Sequence, residues 1–369
     1  MKAKKRLPLI DKLLLWVNYA LAAALLVSYL APSTDPRKIW LIAFFGLAYP
    51  PLLLCNFLLI VYWALRQRWY FLLSLICILC GLGVLNNNIG FHPGSDKPIT
   101  PNSIRMMTYN VHNFKKFGFK KDISTKHEIL DLIHQQHPDI IGIQEFYSRK
   151  KGQYDIADSI KKFMQSDHCY IQSFQQYSPD EIIGIAIFSK YPIVNQGVIR
   201  LSPDYGDGTQ CLYIDVIKNN QTIRIYSAHL QSVQFDPKDY RYLDTALGSA
   251  HTNLHFITHL GGKLKKAFPK RAEQVFKIKA HAAQCPYPYI ISGDFNDTPS
   301  SFAVNQMAKG LKNAFAFKGF GLGRTYNGSF PNYQIDYIMA SLQFNVNSYQ
   351  IIEKKLSDHY PVVSDLVLK

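Results

Sequence analysis

Short apolar runs in this chain repeatedly end on a polar side chain. Asn110 lies near the end of the run over 103–111, and Glu145 follows the run over 140–144. His229 ends the run over 222–228, and Asp294 and Asn296 follow Ile290, Ile291, Ser292 and Gly293. Asp336 sits in Gln-Ile-Asp-Tyr-Ile, and Asp358 and His359 precede the last apolar run. The set is rich in oxygen donors and has no thiol. Carboxylates with amide and water ligands suit Mg²⁺ or Mn²⁺ rather than structural zinc. Beside such an ion, a histidine whose tautomer is fixed by a carboxylate can move protons near neutrality. That combination suits in-line attack of water on phosphorus, where a cation neutralises a non-bridging oxygen. Taken singly, each of these residues also reads as an ordinary cap or turn residue. Gly293-Asp-Phe-Asn-Asp-Thr-Pro has the composition of a turn.

The elements that must position these residues are short. Strand-like runs recur at 103–111, 140–144, 169–174, 182–188, 211–217, 222–228, 289–292, 334–339 and 362–368. Amphipathic helical patterns at 126–136, 155–164 and 272–283 lie between some of them. Strands mixed with helices and hairpin-like pairs predict a layered α/β domain with mixed sheets. In open α/β sheets ligands bind at strand ends, so residues distant in sequence can converge there.

Read in order, the set resembles the endonuclease/exonuclease/phosphatase superfamily of DNase I-like nucleases, abasic-site endonucleases, inositol-polyphosphate phosphatases and neutral sphingomyelinases. The resemblance covers residues 103–369. It rests on Met-Thr-Tyr-Asn-Val at 107–111, Ile-Gln-Glu at 143–145, Gly-Ile-Ala-Ile-Phe-Ser-Lys-Tyr-Pro-Ile at 184–193, Ser-Ala-His-Leu at 227–230, Gly-Asp-Phe-Asn at 293–296 and Ser-Asp-His at 357–359. It implies a four-layer α/β sandwich of two mixed sheets and a Mg²⁺-dependent phosphoesterase. It makes Glu145 the principal metal ligand, with Asp358 completing the shell. Asp294 would orient or activate water, and Asn296 would hold a phosphate oxygen. His359, backed by Asp336, would bind phosphate and exchange a proton. His229 would donate to another phosphate oxygen or assist the leaving group, and Asn110 would bridge the metal and phosphate regions. Two positions depart from the pattern: Gln334 stands where related membrane-attached bacterial members commonly carry Arg, and Lys190 replaces the more usual Arg. Lysine keeps the charge without bidentate geometry.

The first ninety of the 369 residues are of another kind. Uncharged runs at 13–34, 39–65 and 69–91 each supply about the 20 mostly apolar residues that span a bilayer. Aromatic residues gather near the run ends, where interface anchors belong. Three transmembrane helices at about 13–34, 39–65 and 69–90 are therefore expected. Asn18, Pro50, Pro51 and Asn56 would face other helices. A cleaved signal peptide fits poorly, because two further hydrophobic runs follow at once. Residues 1–90 carry nine Lys or Arg against two acids, a local charge of +7; the rest carries 32 against 24, a charge of +8. Counting the basic residues on each side places the N-terminus in the cytoplasm and the catalytic domain on the periplasmic or extracellular side of a bacterial inner (cell) membrane.

Residues 91–102 read as a linker, and 103–369 as one catalytic domain with an inserted, helical arm at 236–268. Cys169, Cys211 and Cys285 read as buried thiols, with a disulfide between two of them left open. The expected partners are the lipid bilayer, through the three helices, and a phosphoester substrate; no obligate protein partner is inferred. Three readings of the substrate stay open. A nucleic acid would use the basic patches at 115–121 and 263–271. A phospholipid or sphingolipid would be met at the membrane, where Phe114, Phe117 and Phe119 could touch the bilayer. A non-catalytic membrane-anchored binding module would need an impaired polar set, whereas every expected position is filled.

Overall fold

The computed structural model describes residues 7–92, 102–114, 123–175, 178–203, 208–234, 239, 254–328 and 332–369. Lys115, Phe117, Phe119 and the first part of the expected arm, apart from Asp239, lie outside the described residues.

Two sheets form the centre of the C-terminal part. Strands β2 (Ser103–Asn110), β3 (Ile140–Arg149), β4 (Cys169–Gln175), β5 (Glu181–Ser189), β13 (Phe344–Val346), β14 (Gln350–Ile351) and β15 (Val362–Leu368) make one. Its order is β13-β15-β2-β3-β5-β4, and β14 pairs with β15. The other contains β6 (Ile193–Arg200), β7 (Gln210–Lys218), β8 (Gln221–His229), β9 (Tyr289–Asp294), β10 (Leu311–Asn313) and β12 (Asp336–Ser341), in the order β10-β12-β9-β8-β7-β6. The pairs β2–β3 and β8–β9 are parallel, and the other pairs are antiparallel. Both sheets are therefore mixed.

Alternation along the strands builds the layers. Ile104 and Met106 of β2 pack with Ile225, Ile290 and Ile338 of the other sheet, so these side chains fill the space between the sheets. Met107 and Tyr109 point the other way, onto Ile129 and Ile133 of α6 (Ile123–Gln136) and Ile156 and Ile160 of α7 (Ile156–Met164). Helix α7 buries Ile156, Ile160 and Met164, one turn apart, and is capped by Asp155, whose side chain accepts from the Asp158 N–H. On the far side, Tyr226, Ile291 and Met339 pack against Val275 and Ile278 of α8 (Leu254–Ala283) and Val304 and Met307 of α9 (Phe302–Ala308).

Helix α8 revises the expected layout. It runs 30 residues without a break, through Gly261, Gly262 and Pro269. The second half of the expected arm and the 272–283 pattern are thus one helix. Tertiary contacts outweigh the local breakers: Leu264, Ala267, Phe268 and Ala272 are buried. Phe114, expected in an amphipathic loop, is buried against Phe146.

The apolar runs at the N-terminus fold as five helices, not three. Among the described residues, α1 (Leu9–Ser28) alone is a single helix long and apolar enough to cross a membrane. Helices α2 (Leu41–Leu47) and α3 (Tyr49–Leu65) meet the requirement only as a pair bent by 60°, and α4 (Phe71–Cys80) and α5 (Leu82–Asn88) only as a pair bent by 73°. Pro50 and Pro51 account for the first break, since they fit the first turn of α3 but not a helix interior. Gly81 accounts for the second: a Cβ there would lie 2.1 Å from the ring of Tyr29, whose hydroxyl donates to the Cys77 carbonyl. The third run then ends as strand β1 (Ile89–Phe91), which pairs with β11 (Phe320–Leu322) beyond α10 (Ala314–Lys318).

Polar residues inside this helical region are paired. The Ser74 hydroxyl lies 2.7 Å from Asn18 Oδ1 and 2.8 Å from Asn56 Oδ1. Asp11 accepts from Tyr62 and Arg66, joining the start of α1 to the end of α3. The six cysteines are free thiols, so the disulfide left open by the sequence is not formed.

Gly293 holds the parallel β8–β9 pair in register at a φ of +138°, and a Cβ there would meet the Ala228 carbonyl at 1.9 Å. Gly293→Ala is expected to cost about 3 kcal/mol or more through backbone strain and overpacking. A fall in the melting temperature of the full chain would show this; an unchanged Tm would contradict the packing.

Candidate active site

The space between the sheets changes character along the strands. It is apolar around Ile104, Ile290 and Ile338, then polar around Thr108, Gln144 and Ser227, and ends in acids and imidazoles. Gln144 donates to Ser227 across the gap, 2.9 Å. Register then sets three site residues level: His229 is opposite Asp294, and Asp294 is opposite Asp336. Asn110, at the end of β2 in the other sheet, donates to Asp294 Oδ2 at 3.0 Å and to Glu145 Oε1 at 3.2 Å.

Glu145 owes its position to a bulge. The β3–β5 register shifts between Ile143 and Phe146, and Glu145 adopts a φ of +50°. The bulge re-aims one side chain at a strand end. Asn296, with a φ of +52°, turns the chain after β9. Its backbone N–H donates to Asp294 Oδ1, and its side-chain amide donates to the Leu230 carbonyl.

His359 Nδ1 lies 2.9 Å from Asp336 Oδ2, and its Nε2 lies 3.6 Å from Asp294 Oδ2. His229 Nε2 lies 3.7 Å from Asp294 Oδ2 and 4.0 Å from Glu145 Oε1. Asp358 is anchored by the Ser357 hydroxyl, 3.1 Å away, which is also 2.9 Å from the Asn110 carbonyl. The residues singled out from the sequence therefore surround one pocket of about 240 Å³. Glu145, Asp294, Asn296, Asp358 and His359 line it directly. Asn110, His229 and Asp336 support them from behind.

Three further lining residues had no place in the site expected from the sequence. His112 Nδ1 stands 3.5 Å from Glu145 and 3.6 Å from Asp358, the two carboxylates expected to hold metal. Its proximity to Asn110 was the available signal, but its place depends on a left-handed turn with φ of +45°. Tyr326 bridges to His359, with ring centroids 5.4 Å apart. Arg271 is buried on α8, pairs with Asp297 at 3.2 Å and donates to the Gln231 carbonyl.

The charges act on one another strongly. Burial would push the Glu145 carboxyl up, but the His112 hydrogen bond and the nearby imidazoles hold it down at about 2. Burial pulls His359 down, yet Asp336 and Asp294 raise it well above the ordinary imidazole range. Burial likewise opposes a charge on His112, and Glu145 and Asp358 outweigh it. Asp294 is raised, by burial first, against the lowering effect of His359.

The residues fit a divalent metal. Asp294, Asp336 and His359 offer donor atoms that all lie within 4.8 Å of one another. Among the described residues, Asp336 Oδ1 is buried with no hydrogen-bond partner, an arrangement that costs free energy unless a cation or donor meets it. Glu145 and Asp358 converge nearby on His112, on the side where the sequence placed metal ligands.

Residues 107–359 match the model of the endonuclease/exonuclease/phosphatase family. The chain belongs to this family. Residues 11–88 match a domain of unknown function, DUF8431. No curated protein matches the chain. An endonuclease/exonuclease/phosphatase from Bacteroides vulgatus has a similar structure, with 16% identity, a TM-score of 0.53 and coverage of 72% of this chain and 99% of that one. So does the human Nocturnin catalytic domain with bound sulfate, at 18% identity, a TM-score of 0.51 and coverage of 76% and 97%. The Bacteroides thetaiotaomicron mannosyl-6-phosphatase Bt3783 follows at 17% identity, a TM-score of 0.50 and coverage of 72% and 100%. At these identities the likeness shows the family's mixed α/β fold.

A carboxylate held down in the folded state contributes stability that is complete above its unfolded pKa and is lost as pH falls through the folded value. For Glu145, with a folded value of about 2, the stability difference between the metal-free chain and Glu145→Gln should be level between about pH 5 and pH 6. It should shrink on acidification, as Glu145 takes up a proton in the folded chain. Thermal unfolding in chelator measures this; a difference that widens as pH falls would contradict the arrangement.

Proposed function

We propose that the chain is a membrane-anchored, divalent-metal-dependent phosphoesterase that hydrolyses phosphodiester bonds by in-line attack of water. One observation carries the reading: four carboxylates and three imidazoles from both sheets lie in or directly behind one pocket, and a buried carboxylate oxygen there has no hydrogen-bond partner among the described residues.

Glu145 and Asp358 would hold the metal from one side, and the unpaired Asp336 Oδ1 offers an oxygen donor on the other. When bound, Mg²⁺ or Mn²⁺ supplies charge neutralisation to the phosphoryl oxygens. The protein groups do the rest. Asp294 lies between two imidazoles and is fixed by Asn110 and the Asn296 N–H, so its carboxylate is placed to orient water and take its proton. His359 is held as an imidazolium by Asp336 and donates to a non-bridging oxygen. His229 and Asn296 contact the phosphoryl group, and His229 can protonate the departing oxygen. The water oxygen–phosphorus bond forms as the phosphorus–ester oxygen bond breaks, leaving a phosphomonoester and an alcohol.

The anchor reading rests on α1 and the two bent pairs. The ion pair between Asp11 and Arg66 supports a topology in which the N-terminus and the turn after α3 share one side, and the count of basic residues makes that side cytoplasmic. The catalytic part would then lie outside.

Between the two substrate readings, the state of the basic patch at 263–271 favours a lipid. Lys263 pairs with Asp239, Lys265 stacks on Trp40, and Arg271 is buried against Asp297. These three of the patch's five cations are committed within the protein, which leaves Lys266 and Lys270 to meet a polyanion.

The full chain is expected to release p-nitrophenol from bis(p-nitrophenyl) phosphate with Mg²⁺ or Mn²⁺ and to stop in EDTA. Asp294→Asn and Asn110→Ala should each lower kcat by about 10²–10⁴-fold. Full activity in either variant, or hydrolysis indifferent to chelator, would sink the assignment.

A further inference from the structure

The N-terminal helices are not merely attached to the catalytic part; they sit on it beside the active site. Leu47, at the end of α2, forms part of the catalytic pocket wall. Phe44 packs edge-on against Phe268 of α8, and Asn88 donates to the Ser300 hydroxyl. Strand β1 ties the end of the helical region to β11.

Between the helices and the catalytic part lies a second, partly open cavity of about 750 Å³. Its size is in the range of about 300–1,000 Å³ for small-molecule sites. Leu53, Leu54 and Phe57 of α3, Ile78 of α4 and Leu85 of α5 form its helical side. The catalytic side contributes Pro299, Leu322 and Arg324. Tyr333 lines both this cavity and the catalytic pocket, so the two adjoin. Beside the cavity, the β1–β11 ribbon exposes Phe91, Phe320 and Leu322, and α3 exposes Leu54 and Phe57. The apolar chamber therefore borders the acidic pocket on one side and exposed apolar surface on the other.

We infer that this cavity holds the hydrocarbon chain of the substrate, so that the enzyme acts on the phosphoester of a membrane lipid. The inference rests on the phosphoesterase reading and names its substrate class. A lipid phosphoester has the two parts this arrangement accepts: a charged phosphoryl group for the carboxylate and imidazole pocket, and an alkyl chain for the chamber behind Tyr333.

The test uses the full chain in amphipol with Mg²⁺ and a series of alkyl p-nitrophenyl phosphodiesters, methyl to octyl, kept below their micelle concentrations. Hydrolysis breaks the phosphorus–aryloxy bond, releases p-nitrophenolate and leaves the alkyl phosphate. Burial of each added methylene should raise kcat/KM by two- to fourfold, with about fourfold as the ceiling. In the double variant Leu54→Trp/Leu85→Trp, which crowds the chamber from α3 and α5, the octyl-to-methyl ratio of kcat/KM should fall at least tenfold. A wild-type series with no dependence on chain length would overturn the inference even if the double variant failed to fold. So would a well-folded double variant that kept the wild-type ratio. Failure to cleave any member of the series would count instead against the phosphoesterase reading.

Discussion

The Asn110 amide donates across the gap between two sheets to Asp294, and much of the molecule is arranged around that contact. The inner faces must be apolar deep inside to hold the sheets together, yet polar at one end to hold acids and imidazoles. Short side chains and mutual hydrogen bonds make the transition. Thr108 and Gln144 bond within one sheet, and Gln144 reaches Ser227 in the other. Without such pairing these buried groups would oppose the packing that brings the sheets together. The site is thus the polar end of the core itself, which gives its residues little freedom and strongly mutual electrostatics.

That rigidity has a chemical use. Buried like charges are costly, and the cluster offsets the cost by alternating carboxylates with imidazoles. His112 stands between Glu145 and Asp358, and His359 between Asp336 and Asp294. A metal ion would take over part of this neutralisation. The same residues therefore serve stability in the metal-free protein and chemistry in the loaded one. The N-terminal region extends the scheme, because Leu47 places apolar surface next to the charged pocket.

Much of this was legible in the sequence because strand ends are local signals. Asn110, His229 and Asp294 each close a strand whose alternation marks its inner face. What the sequence hid depends on conformation or distant contacts. Glu145 points as it does because of a bulge, and His112 because of a left-handed turn. Gly81 breaks a hydrophobic run because Tyr29, far away in sequence, occupies the space of its missing side chain. Helix α8 continues through Pro269 where local propensity predicts an interruption, held by buried Leu264 and Phe268. The chamber behind Tyr333 belongs to two regions that hydropathy separates, so no local pattern announced it.

If the polar end of the two-sheet core is one divalent-metal phosphoester site, anomalous diffraction from crystals of the full chain grown with Mn²⁺ and inorganic phosphate tests it most directly. A manganese peak is expected within bonding distance of carboxylates from the set Glu145, Asp294, Asp336 and Asp358, with phosphate against His229 or His359. Manganese bound only elsewhere, or no peak in this pocket at saturating Mn²⁺, would contradict it.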